Sequence, residues 1–499
     1  MSELHKSVST LGALKKSKWQ SVTVKEEIRR NVVKKIKSGE TLFPGIKGYE
    51  KSVIPQLQHA LLAKHDIILL GLRGQAKTRI LRLMTNFLDE WIPVVKGSEI
   101  NDDPFNPVSK QSRELLEEQG DELQIEWLHR SERYGEKLAT PDTTVADLIG
   151  DIDPIKAATQ KLTLADENVI NFGLVPRTNR GIFGINELPD LQPRIQVALL
   201  NIMQERDIQI RGFNIRIPLD VAMVFSANPE DYTSRGNIIT PLKDRIDSQI
   251  MTHYPREIEI GMDITSQEAW TSRDDLVEVE VSRLMKELIE QTAFEARNSE
   301  YIDQKSGVST RMTITAMEQL ISAAERRALM NEENKTSARI TDLYHIVPAL
   351  TGKLELVYEG EQEGAINVAK HLIGKAIKKT LLKYFPDPQH QKKQEEGAYD
   401  AILNWFTAGN DLDLTDHDSS KEYKKLLKSV DGLEEFFEKH GDDSLSEDPL
   451  VVMEFILEAL HQHSMIGKED MDDKRSYSDM LGSMLGSMGD MDDFEDFDA

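Results

Sequence analysis

The sequence predicts an α/β protein: a parallel-sheet core, an α-helical lid and a C-terminal helical extension. Three observations carry this expectation. Residues 65–79, HDIILLGLRGQAKTR, pass from an apolar strand (Asp66 to Leu70) through a glycine-containing loop into a helical pattern, Ile80 to Trp91. Two further apolar runs, Ile182 to Ile185 and Val221 to Ser226, read as buried strands, and each ends in polar residues, Asn186-Glu187 and Asn228. Beyond residue 260 the pattern turns helical. Runs at 276–298, 313–331, 339–354 and 362–384 alternate with polar turns, and no β pattern interrupts them.

The 499 residues suffice for roughly two to four domains. At 39% hydrophobic and 29% charged, the chain can bury a core and stay dissolved. It holds no run of about 18 apolar residues, so no transmembrane helix is expected, and the first 20 residues lack the apolar stretch of a signal peptide. Cysteine is absent, which excludes disulfides, thiolate nucleophiles and thiolate metal sites and fits a reducing, cytoplasmic setting. The formal net charge of −25 argues against direct nucleic-acid binding as the main role. The twelve histidines are scattered, and His461 and His463 are expected at the surface.

Residues 1–39 form a basic arm, with ten Lys/Arg against three acids, in which Val24 to Lys37 is expected as a solvated charged helix. The core is expected over 40–260. Its key element is the loop Gly71, Leu72, Arg73, Gly74, Gln75, Ala76, Lys77, Thr78 and Arg79. Strand, glycine loop and helix in that order suit a nucleotide phosphate site: loop and helix N–H groups cradle phosphates, Lys77 places a charge on the β/γ-phosphates, and the Thr78 hydroxyl ligates Mg²⁺. Ala76 stands where the pattern G-x-x-x-x-G-K-[ST] has its last glycine. An ordinary glycine turn before a helix is the competing reading. ATP and Mg²⁺ are the cofactors this loop implies.

Residues 98–141 are polar and charged, with helical spacing over Glu114 to Arg133, and read as an insertion that carries either partner contacts or filler. In RGIFGINELPD (180–190), phosphate-loop ATPases normally carry Asp-Glu at the strand end; here Asn186 precedes Glu187. An amide oxygen still accepts from a metal-bound water but adds no charge, so weaker Mg²⁺ retention is expected, with Glu187 as general base. A helix follows at Gln192 to Glu205. DIQIRGFNIRIPLD then alternates around Gly212 and reads as a hairpin. Asn228, at the tip of the next strand, is placed to orient a water. Arg245 ends a short helix, from which it can reach a neighbouring subunit's γ-phosphate. The lid and its extension are expected over 261–386. A linker at FPDPQHQ and KKQEEG opens a small helical domain to residue 465, with helices at Ala398–Phe406, Ser419–His440 and Asp448–His463. Residues 466–499 are acidic and expected to be disordered.

In order and spacing these segments resemble the AAA+ ATPases, and more narrowly the branch of the magnesium chelatase I subunit and MoxR-like proteins. LFPGIKGYEKSVIPQLQHALL (42–62) is similar to the stretch beside the adenine, which would put Ile46 and Gly48 at the base. TTVADLIGDIDPIKA (143–157) and FGLVPRTNRGIFGINELPDL (172–191) resemble the chelatase-type insertion leading into the Walker B strand. The hairpin at 207–217 matches the family's extra hairpin, Asn228 its sensor 1 position and Arg245 its arginine finger. GVSTRMTITAMEQLISAAERRAL (307–329) resembles the sensor 2 segment, which gives Arg311 a γ-phosphate contact from the lid. The likeness spans roughly residues 40–385. It implies ATP hydrolysis, a homo-oligomeric ring (expected as a hexamer) and a partner with a von Willebrand A-type domain. A nucleotide-dependent scaffold with little turnover and a literal chelatase motor are the alternatives.

Overall fold

The computed structural model describes residues 4–163, 166–210, 216–229, 237–273, 277–391, 397–471 and 474–480. The chain divides into two compact units, Met1–Tyr254 and Pro255–Ala499. This boundary lies a few residues before the one expected at 260.

The first unit is built on five strands: β1 (Ile67–Leu70), β2 (Tyr134–Leu138), β3 (Gly181–Asn186), β4 (Val221–Ala227) and β5 (Ser248–Met251). All pair parallel in the order β5-β1-β4-β3-β2. β1, β3 and most of β4 are buried, which explains their near-continuous apolar sequences. Because the strands are parallel, all five C-terminal tips meet at one end of the sheet, where open α/β sheets bind ligands.

β2 corrects the reading of 98–141 as a simple insertion. That segment supplies an edge strand of the core sheet, in register with β3 from Tyr134 opposite Ile182 to Leu138 opposite Asn186. The helical spacing over Glu114–Arg133 also holds only in part. A helix spans Lys110–Gln119, whereas Trp127 and Leu128 lie in a strand, Ile125–His129, paired antiparallel with Trp91–Val95. The helix after the phosphate loop is shorter than expected, Lys77–Leu83, and Trp91 begins that paired strand.

The basic arm is not merely a solvated helix. Val24–Ser38 is helical and buries Val24, Glu27, Ile28 and Val32 against the core. Its N-terminal amide, on Val24, donates to Asp220 at 2.7 Å. Glu27 is buried and accepts two hydrogen bonds from the buried Arg133, at 2.6 and 2.7 Å. Lys25 pairs with Asp66 at 2.8 Å. The hairpin expected at 207–217 is present as Asp207–Gln209 paired with Arg216–Pro218, while Gly212 and Phe213 lie outside the described residues.

The second unit is mainly helical, with long helices at Arg283–Arg297, Arg311–Met330, Ala365–Tyr384 and Pro449–Gln462. Two short strands, Glu278–Glu280 and Lys335–Ser337, pair within the region read as all-helical. They are too short for alternation to register in the sequence. One cluster of buried side chains runs from Ala269 to Tyr477, so the expected lid and accessory domain share a core. Residues 392–396 of the expected linker lie outside the described residues.

The start of the acidic tail is folded, contrary to expectation. Gly467–Met471 and Lys474–Ser478 form a hairpin whose second strand also pairs with Leu412–Thr415. The reason is an electrostatic anchor that composition hides. Glu458, fully buried, accepts from Lys468 at 3.1 Å and from the hydroxyls of Tyr344 and Tyr477 at 2.6 Å each. Residues 481–499 lie outside the described residues. His463 is buried and His461 half-buried, not at the surface. Among the described residues no helix is long and apolar enough to cross a membrane.

Candidate functional site

The site is assembled at the C-terminal tips of β1, β3 and β4. β1 ends at Leu70, and the loop from Gly71 turns into the helix that starts at Lys77. Gly71 is required by close packing: a Cβ there would lie 1.9 Å from Thr252 Oγ1 and 2.2 Å from Gln75 Oε1. Those two side chains are themselves bonded, Thr252 donating to Gln75 at 2.6 Å. Gly74 takes a φ of 74°, in the left-handed region open to glycine. Ala76, the departure from the phosphate-loop pattern, takes the same region with a φ of 57°.

An alanine held there costs about 1–2 kcal/mol, against a smaller loss of chain entropy for glycine. Ala76→Gly is therefore expected to stabilise the first unit by about 1 kcal/mol. Urea unfolding checks this, and an unchanged or lower midpoint would contradict it.

Lys77 is buried, and its ammonium donates to the carbonyls of Gly71 at 2.5 Å and Leu72 at 2.9 Å. It also donates to Asn228 Oδ1 at 2.9 Å, just past the tip of β4. Thr78 Oγ1 donates to Asn186 Oδ1 at 3.2 Å, at the tip of β3. Ser226, buried on β4, donates to the same oxygen at 2.9 Å. The geometry thus brings Lys77, Thr78, Asn186 and Asn228 together as the sequence suggested, with Glu187 next in the chain. Glu187 adopts a left-handed φ of 55° and ψ of 50°. That conformation is costly for a side chain of its size, and such strain gathers at working sites.

Ile46 and Gly48 come just before Tyr49, which ties their segment to the loop. Its hydroxyl reaches the carbonyls of Gln75 at 3.1 Å and His253 at 2.7 Å, and burial pushes its pKa up to about 12. Tyr254 donates to the Arg73 carbonyl at 2.9 Å. Arg79 is exposed on the first helical turn. Arg245 does not join this site. It is exposed in a polar cleft lined also by Asp66 and Val221, which lie at the N-terminal ends of β1 and β4, so it faces away from its own phosphate loop. Arg311 begins the helix Arg311–Met330 of the second unit and is exposed.

Sequence reasoning missed three contributors. Ser226 sits two residues before Asn228 and was legible as a strand-tip hydroxyl. Tyr49 carries no motif signal. Glu136 on β2 accepts from Asn186 Nδ2 at 2.6 Å and from Arg82 at 2.7 and 3.0 Å. Its only signal was the alternation Tyr134, Glu136, Leu138 inside a charged segment.

The donor set suits a nucleotide carrying its own divalent cation. Hydroxyls of Thr78 and Ser226 meet one amide oxygen, with a carboxylate behind it and a buried ammonium beside it. Among the described residues no group of three or more His, Cys, Asp or Glu could hold a metal alone. A cation here would need phosphate oxygens to complete its shell, as Mg²⁺ does in many nucleotide sites.

No family model matches the chain. A curated relative, the magnesium-chelatase 38 kDa subunit of Cereibacter sphaeroides, is 27% identical over 218 residues. The match covers 42% of this chain and 58% of the relative, so the chain spans less than two thirds of that protein. Among solved structures, the chain is similar to one from the complex between subunits BchI and BchD of magnesium chelatase (18% identity, TM-score 0.34, 64% of this chain and 98% of that one). It is also similar to NtrX from Brucella abortus in complex with ADP (12% identity, TM-score 0.35, 73% of this chain and 63% of that one). With TM-scores of this size, the α/β fold stands on the strand order and the site geometry themselves.

Proposed function

We propose that the chain is an ATP-hydrolysing, ring-forming AAA+ motor on the branch of the magnesium chelatase I subunit and MoxR-like proteins, and that it remodels a client protein. The observation that supports this most is the meeting of Lys77, Thr78, Asn186 and Asn228 at one end of the sheet. The loop Gly71–Thr78 binds the triphosphate through its amides, and Lys77 exchanges its carbonyl partners for β/γ-phosphate oxygens. Thr78 and Asn186 would hold the Mg²⁺, which would supply positive charge against the phosphates. Glu187 accepts a proton from the attacking water, and Asn228 orients that water. Ile46 and Gly48 line the base.

Arg245, turned away from its own loop, acts on a neighbour's γ-phosphate, which requires a ring of copies. As the resemblance implies, Arg311 would contribute a γ-phosphate contact from the lid. A partner with a von Willebrand A-type domain passes the force to the client. The proposed location is the cytoplasm.

A second reading is favoured by Asn186, which brings no charge to the cation: a scaffold that ATP holds together with little turnover. Glu187→Gln separates the two. A motor should lose steady phosphate release by about 10²–10⁴-fold, the usual contribution of a general base, while still binding ATP. Phosphate release that was already negligible in the unaltered protein, and unmoved by the substitution, would decide for the scaffold.

A further inference from the structure

Asn186 stands where a carboxylate is expected, yet a carboxylate is present beside it, delivered by the next strand. Glu136 lies on β2 directly opposite Gly184 and on the same face as Asn186. Gly184 presents no side chain there, and a Cβ would meet the Tyr134 hydroxyl at 2.7 Å. The Asn186 amide therefore reaches across, donating Nδ2 to Glu136 Oε1 at 2.6 Å. This bond fixes the amide's orientation. Its Oδ1 is turned to the hydroxyls of Thr78, at 3.2 Å, and Ser226, at 2.9 Å. The opposite orientation would set two oxygens against each other at Glu136. Arg82, on the helix of the phosphate loop, grips both oxygens of Glu136 and aims the carboxylate.

We propose that Glu136 is a positioning residue for the nucleotide's divalent cation: it turns the Asn186 carbonyl oxygen toward the cation and lends the negative charge that Asn186 lacks. The proposal rests on the nucleotide reading of the site. It does not rest on fold stability. The Arg82 side chain is 64% exposed, and a pair so open to solvent contributes little to folding.

The test measures ATP affinity by calorimetry, in Mg²⁺ and in EDTA, for the full chain and for Glu136→Gln, Asn186→Asp and the double variant. Glu136→Gln should weaken binding in Mg²⁺ by about tenfold, a usual effect of losing a residue that supports a metal ligand, and leave binding in EDTA unchanged. Asn186→Asp alone should keep or raise the Mg²⁺ advantage, because it adds a carboxylate at the cation. In the double variant the single remaining carboxylate should restore that advantage.

A Glu136→Gln protein with the full Mg²⁺ advantage would overturn the proposal. So would equal losses with and without Mg²⁺, which mark a merely structural role. If Glu136→Gln does not fold, the double variant still decides, since a tenfold loss of Mg²⁺ advantage that its aspartate leaves unrepaired contradicts the charge argument. A native chain that binds no ATP, or binds it as well after Lys77→Ala, would sink the nucleotide reading itself.

Discussion

Lys77→Ala is expected to lower steady ATP hydrolysis by at least about 10²-fold, the scale of removing one preorganised donor from a site of developing charge. The lysine is buried and held at the mouth of the loop by two carbonyls and Asn228, so its charge is aimed before any ligand arrives. Charge placed in advance in a water-poor site needs no reorganisation during the reaction, which is why one side chain can matter so much. The measurement is phosphate release at saturating ATP, with circular dichroism to verify folding. A folded Lys77→Ala protein that turned over at the native rate would end the ATPase account.

The second large effect lies in the other unit and concerns stability. Glu458→Gln is expected to destabilise that unit by about 3–5 kcal/mol, because it leaves the Lys468 ammonium buried without its counter-charge. Burial by itself would raise the Glu458 pKa. Lys468, His461 and the hydroxyls of Tyr344 and Tyr477 outweigh burial and hold it at about 2. The folded value is thus below the unfolded value of about 4.3. Stability from this group is complete above about pH 4.3 and is lost as pH falls toward 2, a change of roughly 3 kcal/mol. Amide exchange over residues 449–478 reports on this unit directly. It should show the acid loss in the native chain and not in Glu458→Gln; equal acid sensitivity in both would refute the assignment.

These two sites differ in how readily they were read. The phosphate loop was legible because strand, turn and helix follow one another within fifteen residues, and its chemistry is mostly that of the backbone. Asn186 and Asn228 were legible because parallel strands bring their tips to one end. The anchor at Glu458 was not legible. Its acidic tail segment has the composition of a disordered chain, and only the folded helix Pro449–Gln462 presents the buried carboxylate that captures Lys468 and Tyr477. The helix Val24–Ser38 misled for a related reason. Its charges suggested solvent, yet Glu27 is neutralised by Arg133 more than a hundred residues away.

The order of elements, the candidate phosphate loop and the residues at the strand tips were thus determined by local pattern, since each depends on neighbours within one turn or one strand. The tertiary structure alone decided that β2 comes from the charged segment and sets Glu136 against Asn186. That pairing joins residues fifty positions apart through one side-chain hydrogen bond, and an interaction of that range leaves no periodicity along the chain.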